Sequence, residues 1–177
     1  MIIQLCGMSG AGKTSLSEAT KKYLETIGVP VEIIDADDYR THVLKELGYS
    51  KADRNENIRR LAFIANKFNQ HGIVTIICAI NPYEAIRQEI KSNYYKVYTV
   101  FVSCDLQTLT VRDTKGLYKK AQLPANHSEK VTNLTGVNDP FEVPANCDLV
   151  IATNEETLDV STQRFVQFIQ DRLEINL

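Results

Sequence analysis

Apolar, β-branched runs alternate with segments of helical period along most of the chain. The runs Ile2–Cys6, Val31–Asp35, 73–78, 98–103 and Leu149–Ala152 predict strands. Helical periods occupy 13–27, 38–47, 54–71, 82–91, 106–114 and 157–173. The 54–71 segment shows the period best: Ile58, Leu61, Ala65 and Phe68 recur at steps of three and four and make one apolar stripe. Strand and helix in alternation predict an α/β fold, with a mostly parallel sheet of about five strands and helices on both faces. The rhythm fails over 115–144, which is polar and holds Pro124 and Pro140, with Pro144 at its end. So long a stretch inside a compact fold is expected to be functional, and it reads as a mobile lid with a short helix.

Composition narrows the setting. At ~150 residues per domain, 177 residues predict one domain over 1–177, large enough for a core without staples. Twenty Lys and Arg oppose 22 Asp and Glu for a net charge of −2, so neither a nucleic-acid partner nor a membrane surface is indicated. The longest mostly apolar stretch, 72–80, is far short of the ~20 residues of a membrane span. The chain opens directly on a strand with no leader pattern. Cys6, Cys78, Cys104 and Cys147 are scattered without Cys-x-x-Cys spacing, as in a reduced cytoplasmic protein. His42, His71 and His127 are equally dispersed, and no zinc site is expected.

The sharpest signal is Gly7-Met8-Ser9-Gly10-Ala11-Gly12-Lys13-Thr14, between the first strand and the first helix. It fits the G-x-x-x-x-G-K-[ST] P-loop in the context that motif requires. Its glycines let backbone N–H groups turn toward phosphate oxygens, and the following helix adds positive potential. Gly7, Ser9, Gly10, Ala11, Gly12, Lys13, Thr14 and Ser15 are therefore the expected contacts of ATP. Lys13 would reach the β- and γ-phosphates, and the Thr14 hydroxyl would ligate Mg²⁺. No Asn/Thr-Lys-x-Asp base-reading string of a GTPase is present. The short chain and basic lid favour a kinase that closes over its acceptor to exclude water.

The second strand ends in Asp35-Ala36-Asp37-Asp38-Tyr39-Arg40. Carboxylates at the carboxyl end of a parallel strand beside a P-loop can hold Mg²⁺ or its waters and accept a hydroxyl proton. The plain alternative is an acidic turn with Asp37 or Asp38 capping the next helix. This segment resembles the Asp-Gly-Asp-Asn-x-Arg string of adenylyl-sulfate (APS) kinases. So do Leu47-Gly48-Tyr49-Ser50, the string from Asp53 to Arg60, that from Arg112 to Lys120 and that from Leu134 to Glu142. The resemblance runs in order from the P-loop to about Ile151. It implies a P-loop kinase fold and transfer of phosphate from ATP, with Mg²⁺, to the 3′-hydroxyl of adenosine 5′-phosphosulfate in sulfate assimilation. It further implies that Asp37 orients the hydroxyl or takes its proton and that Asp35 supports the metal. Arg40, Arg54, Asn57 and Tyr49 would bind the acceptor, and Lys115 would offset charge on the transferring group. The ATP adenine is expected near Arg112 and 147–153, although Arg112 is also free to pair with Asp113 or Glu129. A homodimer with small-molecule nucleotide substrates is the assembly the resemblance suggests.

Departures from the family strings gather around the acceptor. Ala36 replaces the glycine of Asp-Gly-Asp, Asn81 stands in place of a serine, and Glu84 in place of an arginine. Leu134 occupies the place of a phenylalanine that would complete a base sandwich with Tyr49, and 122–133 is longer than its counterpart. A sign reversal at Glu84 near an anion would matter unless its side chain faces elsewhere. Three functions stay open at this point: an APS kinase with a divergent acceptor site, a 3′-hydroxyl kinase resembling those that act on cytidine diphosphoramidate, and a non-catalytic nucleotide-binding module.

Overall fold

The computed structural model describes residues 1–174. Strands β1 (Ile2–Cys6), β2 (Val31–Asp35), β3 (Val74–Cys78), β4 (Val97–Ser103) and β5 (Leu149–Ala152) form one parallel sheet in the order β2-β3-β1-β4-β5. Among them run helices α1 (Lys13–Thr26), α2 (Ala36–His42), α3 (Lys51–Gln70), α4 (Glu84–Asn93), α5 (Leu106–Arg112), α6 (Leu117–Gln122) and α7 (Leu158–Leu173).

Alternation along β1 shows how the sheet is covered. Ile3 and Leu5 face a cluster with Leu16 and Leu24 of α1 and Phe165 and Ile169 of α7. Ile2 faces the opposite cluster, with Ile58, Leu61 and Ala65 of α3 and Ile86 and Ile90 of α4. Helices thus lie on both faces, and the predicted stripe of α3 is the side it buries. From β1 the chain leaves to one side toward β2 and, by way of β3, to the other side toward β4. Such a reversal leaves a crevice at the carboxyl ends of the strands, and the β1–α1 loop opens there.

Local chemistry explains where boundaries move. Ser50 caps α3 by accepting from the Asp53 N–H at 3.1 Å, so this helix starts ahead of the predicted residue 54. The second helix stops at His42 instead of reaching 47, because the Val43 and Leu44 N–H groups both turn back to the Tyr39 carbonyl at 2.8 Å. Helix α4 begins at Glu84, after Pro82 and an extended Tyr83. The stretch 115–144 contains α6 and otherwise lacks regular helix or strand, apart from an isolated bridge between Thr135 and Asp139.

Candidate active site

The loop from Gly7 to Thr14 is packed from outside. A Cβ on Gly7 would come 2.4 Å from the Val102 carbonyl oxygen, so only glycine lets β1 turn this close to β4. Lys13 is 8% exposed, and its Nζ donates to the carbonyls of Gly7 and Met8, both at 2.8 Å. Burial pushes the pKa of this ammonium below its ordinary value. Ser9 and Ala11 are buried, whereas Thr14 and Ser15, in the first turn of α1, are exposed. Among the described residues, the N–H groups of Gly10, Gly12 and Lys13 have no intramolecular partner. A run of unpaired donors at a helix start is suited to an anion.

The acidic corner after β2 is joined directly to this loop. Asp35, not Asp37 or Asp38, caps α2: its Oδ1 accepts from the Asp37 N–H at 2.9 Å. Its Oδ2 accepts from the Thr14 hydroxyl at 3.2 Å, and Thr14 Oγ1 lies 3.5 Å from Cys78 Sγ at the end of β3. With its backbone held in the cap, Asp37 leaves its carboxylate exposed, ion-paired with Lys115 of the 115–144 stretch. Desolvation opposes it, yet the Asp37 carboxylate holds the Lys115 pKa above the ordinary lysine value. Asp38 pairs on the surface with His42 at 3.3 Å. Thr14 and Asp35 offer hard oxygen donors side by side, a set that fits Mg²⁺ if phosphate and water complete its shell.

Beyond that corner, Arg40 donates to the carbonyls of Leu47 and Gly48 at 3.0 and 2.8 Å. Arg54 donates to the Tyr49 carbonyl at 2.9 Å and to the Asn133 carbonyl at 2.7 Å, and lies 3.6 Å from Asp139. Both guanidinium groups sit over the Tyr49 ring, 4.9 and 5.5 Å from its centroid, while the residue stays 56% exposed. Asn57, one turn after Arg54 on α3, is buried with its Oδ1 unpartnered. These four residues come together. Leu134 does not join them as an open face. Its side chain is 4% exposed within the core cluster below α1 and α7, in correction of its expected place opposite Tyr49.

Arg112 pairs with neither Asp113 nor Glu129. It donates to the Thr153 carbonyl at 2.7 Å and hydroxyl at 3.2 Å, and Thr153 in turn donates to the Ala11 carbonyl at 2.8 Å. The 115–144 stretch touches the loop as well. Tyr118 of α6 donates its hydroxyl to the Ser9 carbonyl at 2.8 Å. Gly136 lies so near that a Cβ on it would come 2.2 Å from Met8 Sδ. Thr153, Tyr118 and Asp139, which accepts from the Tyr83 hydroxyl at 3.3 Å, are the site-building residues that spacing alone did not single out. Tyr118 and Asp139 do lie in the quoted strings from Arg112 to Lys120 and from Leu134 to Glu142, and Thr153 ends the 147–153 stretch expected near the adenine.

Three of the departures have structural roles of their own. Ala36 is the first residue of α2, and its methyl packs into the α3–α4 cluster. Asn81 adopts φ +45°, a region asparagine tolerates, and donates to Gln4 Oε1 at 3.1 Å. Glu84 accepts from Arg87 Nη2 at 2.6 Å and from Gln88 Nε2 at 2.6 Å. Its charge is therefore directed at a fully buried guanidinium.

Known proteins match this arrangement along nearly the whole chain. The family model for adenylylsulphate kinase matches residues 1–152. An adenylyl-sulfate kinase of Synechococcus sp. is 41% identical over 152 residues, 86% of this chain and 84% of that one. A probable adenylyl-sulfate kinase of Synechocystis sp. is 41% identical over 169 residues, 96% and 93% of the two chains. The APS kinase of Mycobacterium tuberculosis, solved in complex with AMPPNP and APS, superposes with a TM-score of 0.88 at 29% identity over 96% of each chain.

Proposed function

Because this chain belongs to the adenylylsulphate kinase family, we propose that it transfers the γ-phosphoryl group of ATP to the 3′-hydroxyl of adenosine 5′-phosphosulfate, giving 3′-phosphoadenylyl sulfate and ADP. It is an ATP-dependent phosphotransferase acting on a hydroxyl group. The observation that carries the phosphoryl-transfer reading is the Thr14–Asp35 contact, which sets the donor loop and the acidic corner at one crevice.

Triphosphate lies along the loop 7–14, held by the free N–H groups and by Lys13. The adenine rests near Arg112 and 147–153. Arg40, Arg54 and Asn57 hold the acceptor's anionic and ribose groups, and its base stacks on the open side of Tyr49. The acceptor's 3′-oxygen forms the new bond to the γ-phosphorus, and the bond from that phosphorus to the β–γ bridging oxygen breaks, leaving ADP. The hydroxyl proton passes to Asp37, and Lys115 stabilises negative charge on the transferring group. Thr14 and Asp35 would hold Mg²⁺ directly or through water, and the ion would neutralise charge on the β- and γ-phosphates. The enzyme works in the cytoplasm as a homodimer of one-domain subunits.

Among the described residues, no helix is long and apolar enough to cross a membrane. The test is ADP release from Mg·ATP with candidate acceptors, with mass spectrometry of the product. Turnover with adenosine 5′-phosphosulfate and a phosphate gain at the 3′-position is the expected result. Turnover confined to a cytidylyl acceptor would move the specificity to a pyrimidine. No turnover with any acceptor would leave a nucleotide-binding module.

A further inference from the structure

Two carbonyls of the donor loop are gripped from outside it. Tyr118 donates to the Ser9 carbonyl at 2.8 Å, a buried bond in which Tyr118 is 3% exposed. Thr153 donates to the Ala11 carbonyl at 2.8 Å. Every peptide bond described is trans, and in a trans peptide the C=O and the next N–H point in opposite directions. Holding the Ser9 carbonyl outward therefore directs the Gly10 N–H inward, and holding the Ala11 carbonyl does the same for Gly12. Both are among the N–H groups without an intramolecular partner.

We propose that Tyr118 is a positioning residue for the phosphoryl donor, its hydroxyl fixing the Ser9–Gly10 peptide so that the Gly10 N–H is presented to the triphosphate. This inference rests on the reading of loop 7–14 as the ATP site. Burial, with Asp113 adding to it, pushes the Tyr118 phenol up to about 12, so the hydroxyl keeps its proton and remains a donor at neutral pH. The Asp113 carboxylate accepts from the N–H groups of Tyr118 and Lys119, each at 3.0 Å, and so fixes the start of α6. Between Asp113 and Tyr118 lies Lys115, paired with Asp37. One short segment of the lid thus touches the acceptor corner through a charge and the donor loop through a hydroxyl.

The test compares wild type, Tyr118→Phe and Lys13→Ala in the full chain. The phenylalanine keeps the buried ring and removes one hydroxyl. Calorimetric titration with a non-hydrolysable ATP analogue in Mg²⁺ buffer is read beside KM for ATP and for the acceptor. The expected result for Tyr118→Phe is about a fivefold loss of analogue affinity, with an equal rise in KM for ATP and the acceptor KM within about twofold. In ¹⁵N-labelled protein, the nucleotide-induced shift of the Gly10 amide should shrink in the same variant. Unchanged ATP affinity, equal rises in both KM values, or a lower melting temperature with the ATP constants unmoved would each overturn the assignment. Failure of the underlying reading looks different: Lys13→Ala would then bind the analogue as well as wild type does.

Discussion

The two halves of the crevice are built in opposite ways. On the donor side, Lys13, Ser9 and Ala11 are buried, and their polar atoms are tied by short bonds to the loop itself, to Tyr118 and to Thr153. On the acceptor side, Asp37, Lys115 and the Tyr49 ring are exposed, and the guanidinium groups of Arg40 and Arg54 meet carbonyls and an aromatic face. A phosphate-binding loop works through fixed N–H directions, which reward rigidity. An acceptor site must admit and release a second nucleotide, which rewards solvated ion pairs that exchange at little cost. Of the departures from the family strings, Ala36, Asn81 and Leu134 are nonetheless buried, each packed or hydrogen-bonded into its surroundings.

The largest break in this contrast should come from Asp37→Asn. If the exposed acid takes the hydroxyl proton, kcat falls by about 10²–10⁴ while affinity for a non-hydrolysable ATP analogue stays within about threefold. Normal turnover in that variant would remove Asp37 from the chemistry. Arg54→Ala should come next. The acceptor KM is expected to rise about 10- to 100-fold, the scale of a lost charge-assisted hydrogen bond, with the ATP KM nearly unmoved. Equal effects on both constants would mean that Arg54 belongs to neither half alone. Because Arg54 is largely buried, Arg54→Lys serves as the milder companion, with the same direction and a smaller rise.

Glu84→Ala sharpens the comparison from the other direction. If the carboxylate serves the buried Arg87 and not the acceptor, urea denaturation should show a loss of about 1–3 kcal/mol, and the acceptor KM should hold within about twofold. A lowered acceptor KM with unchanged stability would instead place Glu84 against the incoming anion. The smallest effect concerns the thiols. Burial pushes Cys6 up to about 12 and Cys78 to about 11, both beneath the donor loop, while Cys147 is only partly buried. Alkylation near pH 8 should therefore mark Cys147 ahead of the other three, as read by peptide mass mapping. The sign for stability follows. Above the ordinary thiol value of ~8.5 the unfolded chain releases protons that the folded chain retains, so stability declines as pH rises from there toward the folded values.

Much of this was legible before any coordinates. The bounds of β1, β2 and β5 are those that the apolar runs predict, and β3 and β4 differ by one residue at their starts. The donor loop was legible because its chemistry is contiguous: strand, glycines, lysine and threonine occupy neighbouring positions. Asp35 was singled out as a metal-side acid, and it does stand beside the Thr14 hydroxyl. Its service as the cap of α2 was not legible, since Asp37 and Asp38 are equally good capping residues and only the backbone geometry chooses among them. Leu134 shows the limit of reading by position. Its place in a string suggested a face for a base, and packing turned its side chain into the core.

By itself, then, the sequence determined the alternation of strands and helices, the phosphate loop and the family, because each depends on residues close together or on long ordered similarity. Tertiary structure alone decided which atoms meet across the crevice. Asp37 finds Lys115 at 78 positions' remove, and Tyr118 finds Ser9 at 109. No local period or propensity carries such pairings. They are set by how the sheet order brings distant loops to one end and by which polar groups are left needing partners when that end is packed.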